Sequence, residues 1–440
     1  MTKSVKIIMF NFLAKIHFPF LKYELSTEMK SFVGNMGYAG ISSLISGAML
    51  AIVQILAVRS LGPTEYGKVS LVFALANFLP YFMFMGLQSG LVKYLPEKKE
   101  VNQKGIIITT SLLGILLFTC LSLVVAIFLR NFILNLFDLT LSIFYVSLIY
   151  STFTVLKTAT ESILKGLLNF KMQAILDIAY TGVAAVFFIL LYLLGYGNSY
   201  LIYILAFVLG LLIYVSIVLI KYKRFIKFYF WNYDSFKSLL SYGFFSVLGS
   251  VALFVLWGSD RFFLNKFLDV KSVGIYSVYY GTSLIVLGRF SSILLKVLFP
   301  TASGRTDKCE INKRLGKLML IGFLPILVAN CALMYIMMLI YGKEYPLKPD
   351  WILLFSVNAI LYTYIGARGV LVVSQGVKGY AYYSTWSIIM AVLAFMLYLL
   401  AIPTFGVIGA IITVTLVSLI FFVGLSIYSK IILDKKHQTT

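Results

Sequence analysis

From about residue 34 to residue 428 the chain alternates long apolar runs with short polar interruptions, and the runs lack the every-second-residue polarity of membrane β-strands. An α-helix needs about 20 apolar residues to cross a hydrocarbon core about 30 Å thick. Twelve runs meet that length and predict spans near 34–58, 69–92, 106–129, 139–160, 172–194, 199–220, 239–259, 274–299, 318–341, 351–373, 380–402 and 405–428. With no water in the hydrocarbon to satisfy a backbone, continuous apolar runs of this kind cross as helices. The expected fold class is an all-α polytopic membrane protein. Within it Pro80 and Pro325 predict kinks in spans two and nine, Pro403 predicts a turn, and Gly195-Tyr196-Gly197-Asn198 predicts a tight turn between spans five and six. Residues 1–30 carry Lys3, Lys6, Lys15 and Lys22 among Ile, Phe and Leu, a pattern that predicts an amphipathic helix on the membrane surface.

The polar stretch from Arg59 to Ser70 is predicted as a short turn between spans one and two, and it has an echo beginning at Lys266. Leu61, Gly67 and Ser70 recur there as Leu268, Gly274 and Ser277, a shift of 207 positions. The same shift places Lys30-Ser31 on Lys237-Ser238, Leu164 on Leu371 and Lys171 on Lys378. Internal duplication is the implied history, with a first six-helix half at 31–220, a basic linker at 221–237, a second half at 238–430 and a tail at 431–440. Since each half holds an even number of spans, both insert the same way up. Their pseudo-twofold axis is then expected along the membrane normal, with a cavity between the halves.

Composition and charge narrow the function classes. Hydrophobic residues make up 61% of the 440 and charged residues 12%, against roughly half and a quarter in soluble domains. The net charge of +21 comes from Lys and Arg confined to short loops rather than gathered on one face, so it speaks for orientation in an anionic membrane and not for nucleic acid. Assigning loops alternately to the two sides puts most of these cations, and both termini, on the cytoplasmic face. Three cysteines, Cys120, Cys309 and Cys331, form no disulfide framework and no metal-ligand spacing, and the histidines are His17 and His437 alone. Neither a cofactor nor a metal site is indicated. An enzyme would require paired acids or His in a sizeable loop, which the sequence lacks.

The charges left inside spans are the candidate chemistry. Arg289 falls near the middle of span eight, and Thr282, Arg289 and Lys296 are spaced by seven with Ser292 beside them, which makes one polar stripe. A cation at the bilayer centre costs at least about 2.5 kcal/mol, so Arg289 should face protein or water, binding an anionic head group or pairing structurally, with snorkelling toward the lipid surface as the third reading. Asp260 and Arg261 fall near the outer end of span seven, as gate or substrate contacts or as plain interfacial charges. On a continuous helix they point about 100° apart and need not pair. Glu161, Asp177 and Asp260 are the acids that could carry a coupling ion. Arg368 aligns with Glu161 under the repeat offset, which would set opposite charges at matching helix ends as an inner gate.

The turn Leu61-Gly62-Pro63-Thr64-Glu65-Tyr66-Gly67 resembles the "R-x-LGPxEYG" turn of the polysaccharide biosynthesis family, the Wzx-type O-antigen flippases. The segments from Gly86 to Pro96, from Tyr341 to Tyr345 and from Phe405 to Ala410 are similar to that family's close of span two, its turn after span nine and its start of the last helix. The resemblance implies the fold of the multidrug, oligosaccharidyl-lipid and polysaccharide exporter superfamily, two six-helix bundles around a cavity open alternately to each side. It further implies a flippase for an oligosaccharide on a polyprenyl phosphate or pyrophosphate, working among membrane lipids and alongside glycan polymerase or ligase machinery. A cation-coupled small-molecule antiporter of the same superfamily is the alternative.

Overall fold

A computed structural model describes residues 27–227, 230–304, 308–375 and 377–437, and within these ranges some helical stretches are described by backbone alone. Most of the predicted surface helix at 1–30 lies outside the described residues. Every long element is helical, and no strand occurs among the described residues. Eleven helical stretches there are long and apolar enough to cross a membrane; one of them, Gly40–Phe84, holds 45 residues and supplies two spans. The protein is therefore a multi-pass membrane protein whose twelve spans form two six-helix bundles.

Spans one and two are two helical segments, together α1 (Thr27–Phe78), that meet at a kink within the stretch predicted as a turn. A single residue replaces the expected loop: Gly62 sits at φ 67°, ψ 174°, a conformation open to a residue without Cβ. Pro63 follows it, where a missing N–H costs nothing because the next helical segment is only starting. Span two then breaks more deeply than the kink expected from Pro80. α2 (Pro80–Phe84) and α3 (Leu87–Tyr94) are separated by Met85 and Gly86, both left-handed with φ of 45° and 77°.

The first bundle continues with α4 (Val101–Phe128), α5 (Arg130–Phe137), α6 (Leu141–Gly166), α7 (Phe170–Leu193) and α8 (Tyr200–Tyr222). The second holds α9 (Tyr233–Trp257), α10 (Asp260–Phe267), α11 (Val270–Gly304), α12 (Lys308–Tyr341), α13 (Pro349–Val373), α14 (Val377–Phe405) and α15 (Val407–His437). Pro403 lies inside α14, and the turn expected there falls instead at Gly406, with φ 63°. The start of α8 at residue 200 recurs as the start of α15 at 407, the offset of 207 seen in the sequence. Packing recurs with it: α1 lies on α7 as α9 lies on α14, and α6 lies on α8 as α13 lies on α15.

The bundles meet where α1 crosses α11. A Cβ on Gly67 would stand 2.0 Å from the Val270 carbonyl oxygen, and one on Gly274 would stand 1.8 Å from that of Pro63. Gly67 and Gly274 are equivalent under the offset, as are Pro63 and Val270, so the pseudo-twofold axis passes through this backbone-to-backbone contact, which small residues make possible. Two clasps flank it. Asn265 Nδ2 donates to the carbonyls of Phe137 and Asp138 at 2.9 and 2.7 Å, Lys266 Nζ donates to the Asn135 carbonyl at 2.7 Å, and the Tyr345 hydroxyl donates to the Val58 carbonyl at 3.1 Å. Burial pushes the Tyr345 phenol well above its usual pKa, which keeps that donor protonated. At the other end of the molecule α3 packs on α9, with Gly86 against the Gly243 backbone. There the linker is pinned to α4, because Thr109 Oγ1 donates to the Phe225 carbonyl at 2.9 Å and accepts from Lys227 N at 3.2 Å.

Candidate functional site

Between the bundles, just inside the Gly67–Gly274 crossing, lies a cavity of about 810 Å³. It is lined by α1, α2, α6, α7 and α8 of the first bundle and by α9, α10, α11 and α13 of the second. Its location follows from the repeat. Gln54 and Arg261, Ser70 and Ser277, and Phe73 and Tyr280 are pairs separated by 207, and all six side chains border the cavity. Aromatic rings make up much of the wall, and among the described residues Arg261 is the single charged one along it.

Arg261 and Asp260 form one unit. Asp260 is fully buried; its Oδ1 accepts from Arg261 Nη1 at 2.9 Å and from the Arg261 backbone N–H at 2.8 Å, and its Oδ2 accepts from the Tyr276 hydroxyl at 2.5 Å. Arg261 Nη1 also reaches the Trp257 carbonyl at 3.4 Å, and the guanidinium lies over the Tyr280 ring, 4.6 Å from its centroid. The pairing corrects the expectation that these neighbours need not meet. α9 ends at Trp257 and α10 starts at Asp260, so the acid occupies a helix start, where a carboxylate is favoured, and folds back onto the next residue. With Nη1 engaged, Nε and Nη2 carry no bond among the described residues. A rigid fork thus keeps one edge for an anion, fixed by a carboxylate that is itself out of reach.

Thr282, Glu161, Asp177 and Arg368 fall elsewhere. Thr282 is fully buried and its Oγ1 bonds back to the Val278 carbonyl at 2.6 Å and faces the Tyr341 hydroxyl at 3.1 Å, so the stripe that begins with it starts against α12 and not in the cavity. The side chains of Arg289, Ser292 and Lys296 lie outside the described residues. Glu161 is held inside the first bundle by Lys157, by Lys165 at 2.7 Å and by Gln173 Nε2 at 2.9 Å. Asp177 approaches Lys157 at 3.4 Å in the same cluster. Arg368 bonds Asn312 within the second bundle. Glu161 and Arg368 therefore do not pair with each other here: Glu161 is held by lysines of its own bundle, while Arg368 has the neutral Asn312 as partner and a buried Nε with none among the described residues. No group of acids, His and Cys able to hold a metal occurs among the described residues.

Sequence reasoning passed over the residues that build the wall. Phe73, Tyr150, Tyr180, Tyr203 and Phe207 form one aromatic cluster on the first bundle, with centroid separations such as 5.2 Å for Phe73–Tyr150 and 5.0 Å for Tyr203–Phe207. Gln54 and Ser277 border the cavity with buried amide and hydroxyl groups that have no partner. The repeat offset was the signal available, since it sets Gln54 opposite Arg261.

The family model described as polysaccharide biosynthesis protein matches residues 32–305. No curated protein matches the sequence. Among solved structures, an inward-facing multidrug resistance MATE family transporter of the MOP superfamily is similar with a TM-score of 0.66 at 14% identity, over 91% of this chain and 99% of that one. Lipid II flippase MurJ, in an inward closed conformation, gives a TM-score of 0.66 at 17% identity over 92% and 93% of the two chains. A MOP superfamily transporter from Pyrococcus furiosus gives 0.58 at 14% identity over 92% and 96%. At these identities the likeness shows the fold.

Proposed function

Since the chain belongs to the polysaccharide biosynthesis protein family, we propose that it moves an oligosaccharide linked to a polyprenyl phosphate or pyrophosphate across the plasma membrane by alternating access. The observation that carries this reading is the cavity itself. At about 810 Å³ it has room for a sugar-sized head group, its rings offer flat apolar faces with hydroxyl rims, and the single charge among its described lining residues is a cation with a free edge. A transporter of lipid-linked sugar must hold a polar, negatively charged head group away from hydrocarbon, and those are the groups required. A carrier for organic cations would place an accessible acid on the wall, whereas the acid here, Asp260, is wholly covered by Arg261 and Tyr276.

In this arrangement the Gly67–Gly274 crossing and its clasps close one end, and the substrate enters from the end that holds the linker, which the distribution of Lys and Arg assigns to the cytoplasm. Arg261 takes the phosphate through Nε and Nη2. Arg289 on α11, the cation singled out in the sequence, is proposed as a second contact.

Transport in reconstituted vesicles tests both. Arg261→Ala should lose transport, and because it strands the buried Asp260 its insertion and melting temperature are measured beside transport, while Arg261→Lys should recover only part, because an ammonium keeps the charge and loses the fork. Arg289→Ala, assayed alongside, separates the two cations. In cells, loss of the protein should leave lipid-linked intermediate on the cytoplasmic leaflet. Unchanged intermediate together with increased drug sensitivity would transfer the assignment to the small-molecule antiporter.

A further inference from the structure

The duplication makes the cavity nearly symmetric in backbone, so the positions where its two walls differ in chemistry mark what the substrate needs from each. On the first bundle Tyr150, Tyr180, Tyr203 and Phe207 project from α6, α7 and α8 and border the cavity. Their equivalents 207 residues on are Val357, Ser387, Ala410 and Val414, and none of these borders it. The first bundle gives the more aromatic wall, with rings contiguous across three helices, while the second contributes Phe254, Trp257, Tyr280 and Tyr362 at other places. The charge is asymmetric in the opposite sense: Arg261 and Asp260 on the second bundle correspond to Gln54 and Val53 on the first.

From this inversion we infer that the substrate lies across the pseudo-twofold axis in one orientation, with its phosphate on the second bundle at Arg261 and its sugar rings on the aromatic wall of the first. The inference rests on the transport reading given above and specifies where each part of that substrate sits. Sugar rings carry apolar C–H faces that pack on aromatic rings, and the hydroxyl edges of Tyr150, Tyr180 and Tyr203 supply hydrogen bonds around them. A phosphate gains little from that wall, while Arg261 offers it two parallel N–H donors. Gln54 reaches across from α1 to the α11 side, where its Nε2 stands 3.1 Å from the place a Cβ on Gly281 would take. Its unpartnered amide and the unpartnered hydroxyl of Ser277, a residue 6% exposed, lie on the path from one wall to the other. Those two groups suit the polar junction between sugar and phosphate.

Two probes separate the halves of the site: geranylgeranyl pyrophosphate, which has no sugar, and the same pyrophosphate bearing N-acetylglucosamine. Binding to the full-length protein in lipid nanodiscs is measured for wild type, Arg261→Gln, and first-wall variants that take the second bundle's residue, Tyr150→Val and Tyr180→Ser. Arg261→Gln should weaken both probes about tenfold or more, as the loss of a charge-assisted fork predicts. Tyr150→Val and Tyr180→Ser should weaken the glycosylated probe by about tenfold, the scale of a lost aromatic contact, and leave the sugarless probe unchanged. Undiminished binding of the sugarless probe also shows that the variant is folded. Tyr150→Phe keeps the ring and should retain most of the affinity. The orientation is overturned if the wall variants weaken both probes equally or neither, or if Arg261→Gln affects the glycosylated probe alone. If wild type binds neither probe, the transport reading itself falls and the orientation with it.

Discussion

At the scale of single residues, the Asp260–Arg261–Tyr276 unit shows how an acid with no solvent exposure can serve a site it never touches. Asp260 spends both oxygens on Arg261 and Tyr276 and thereby sets which edge of the guanidinium faces the cavity. Breaking such a pair leaves an uncompensated charge, so Asp260→Ala should destabilise the protein by about 3 kcal/mol, read as a lowered melting temperature in detergent. Replacing both partners together, Asp260→Leu with Arg261→Met, removes the orphan charge and should regain most of that stability while transport stays lost. A double variant as unstable as Asp260→Ala would assign the pair to folding and not to the substrate. Both residues were legible in the sequence as charges at a helix end; their pairing was not. A helical wheel assumes a continuous helix, and the chain breaks between Trp257 and Asp260. The aromatic wall was hidden for a different reason: in a chain with 16% aromatic residues, composition does not tell a ring facing a cavity from one facing lipid.

For elements, hydropathy located every span, because the bilayer sets the length of an apolar run whatever its partners. Boundaries that depend on one backbone conformation were read less well. Arg59 to Ser70 looked like a loop by polarity, yet Gly62 alone makes the bend and the flanking residues stay helical. Pro403 looked like a turn, yet its ring is accommodated within α14 and Gly406 makes the turn. The repeat was visible at Gly67 and Gly274, and the structure supplies the reason for those two glycines: they allow α1 and α11 to touch at backbone distance. Gly67→Val should therefore force the helices apart at that crossing, since its Cβ would fall 2.0 Å from the Val270 carbonyl. Cysteines placed at positions 135 and 266, on either side of the clasp made by Lys266 Nζ and the Asn135 carbonyl at 2.7 Å, report this directly. Cross-linking of that pair should fall severalfold in the Gly67→Val background, and an unchanged yield would show that the contact does not govern closure.

For the whole molecule, the two bundles are joined at the Gly62 end by contacts that all cross the interface: the glycine pair, the Asn265 and Lys266 clasp, and the Tyr345 hydroxyl on Val58. Apolar packing shared by both bundles surrounds them, with Leu61, Val69 and Val273 in one buried cluster and the Phe137 and Phe262 rings 4.5 Å apart, while the named contacts are backbone approaches and a few hydrogen bonds, each worth about 1 kcal/mol, with no ion pair among them. If the cavity discharges through that end, the contacts must all break together as the bundles rotate. Joining positions 135 and 266 with a short thiol-reactive bridge, in a chain whose native Cys120, Cys309 and Cys331 are replaced by Ser or Ala, should therefore stop transport in vesicles. Binding of the lipid-linked probe should persist, because the path from the linker end is not tied. A reducible bridge makes the test internal to one sample: adding reductant should restore transport to the level of the unbridged protein. Transport that continues at full rate with the bridge intact would mean that substrate leaves without separating the bundles at the Gly67–Gly274 crossing, and alternating access about this axis would have to be abandoned.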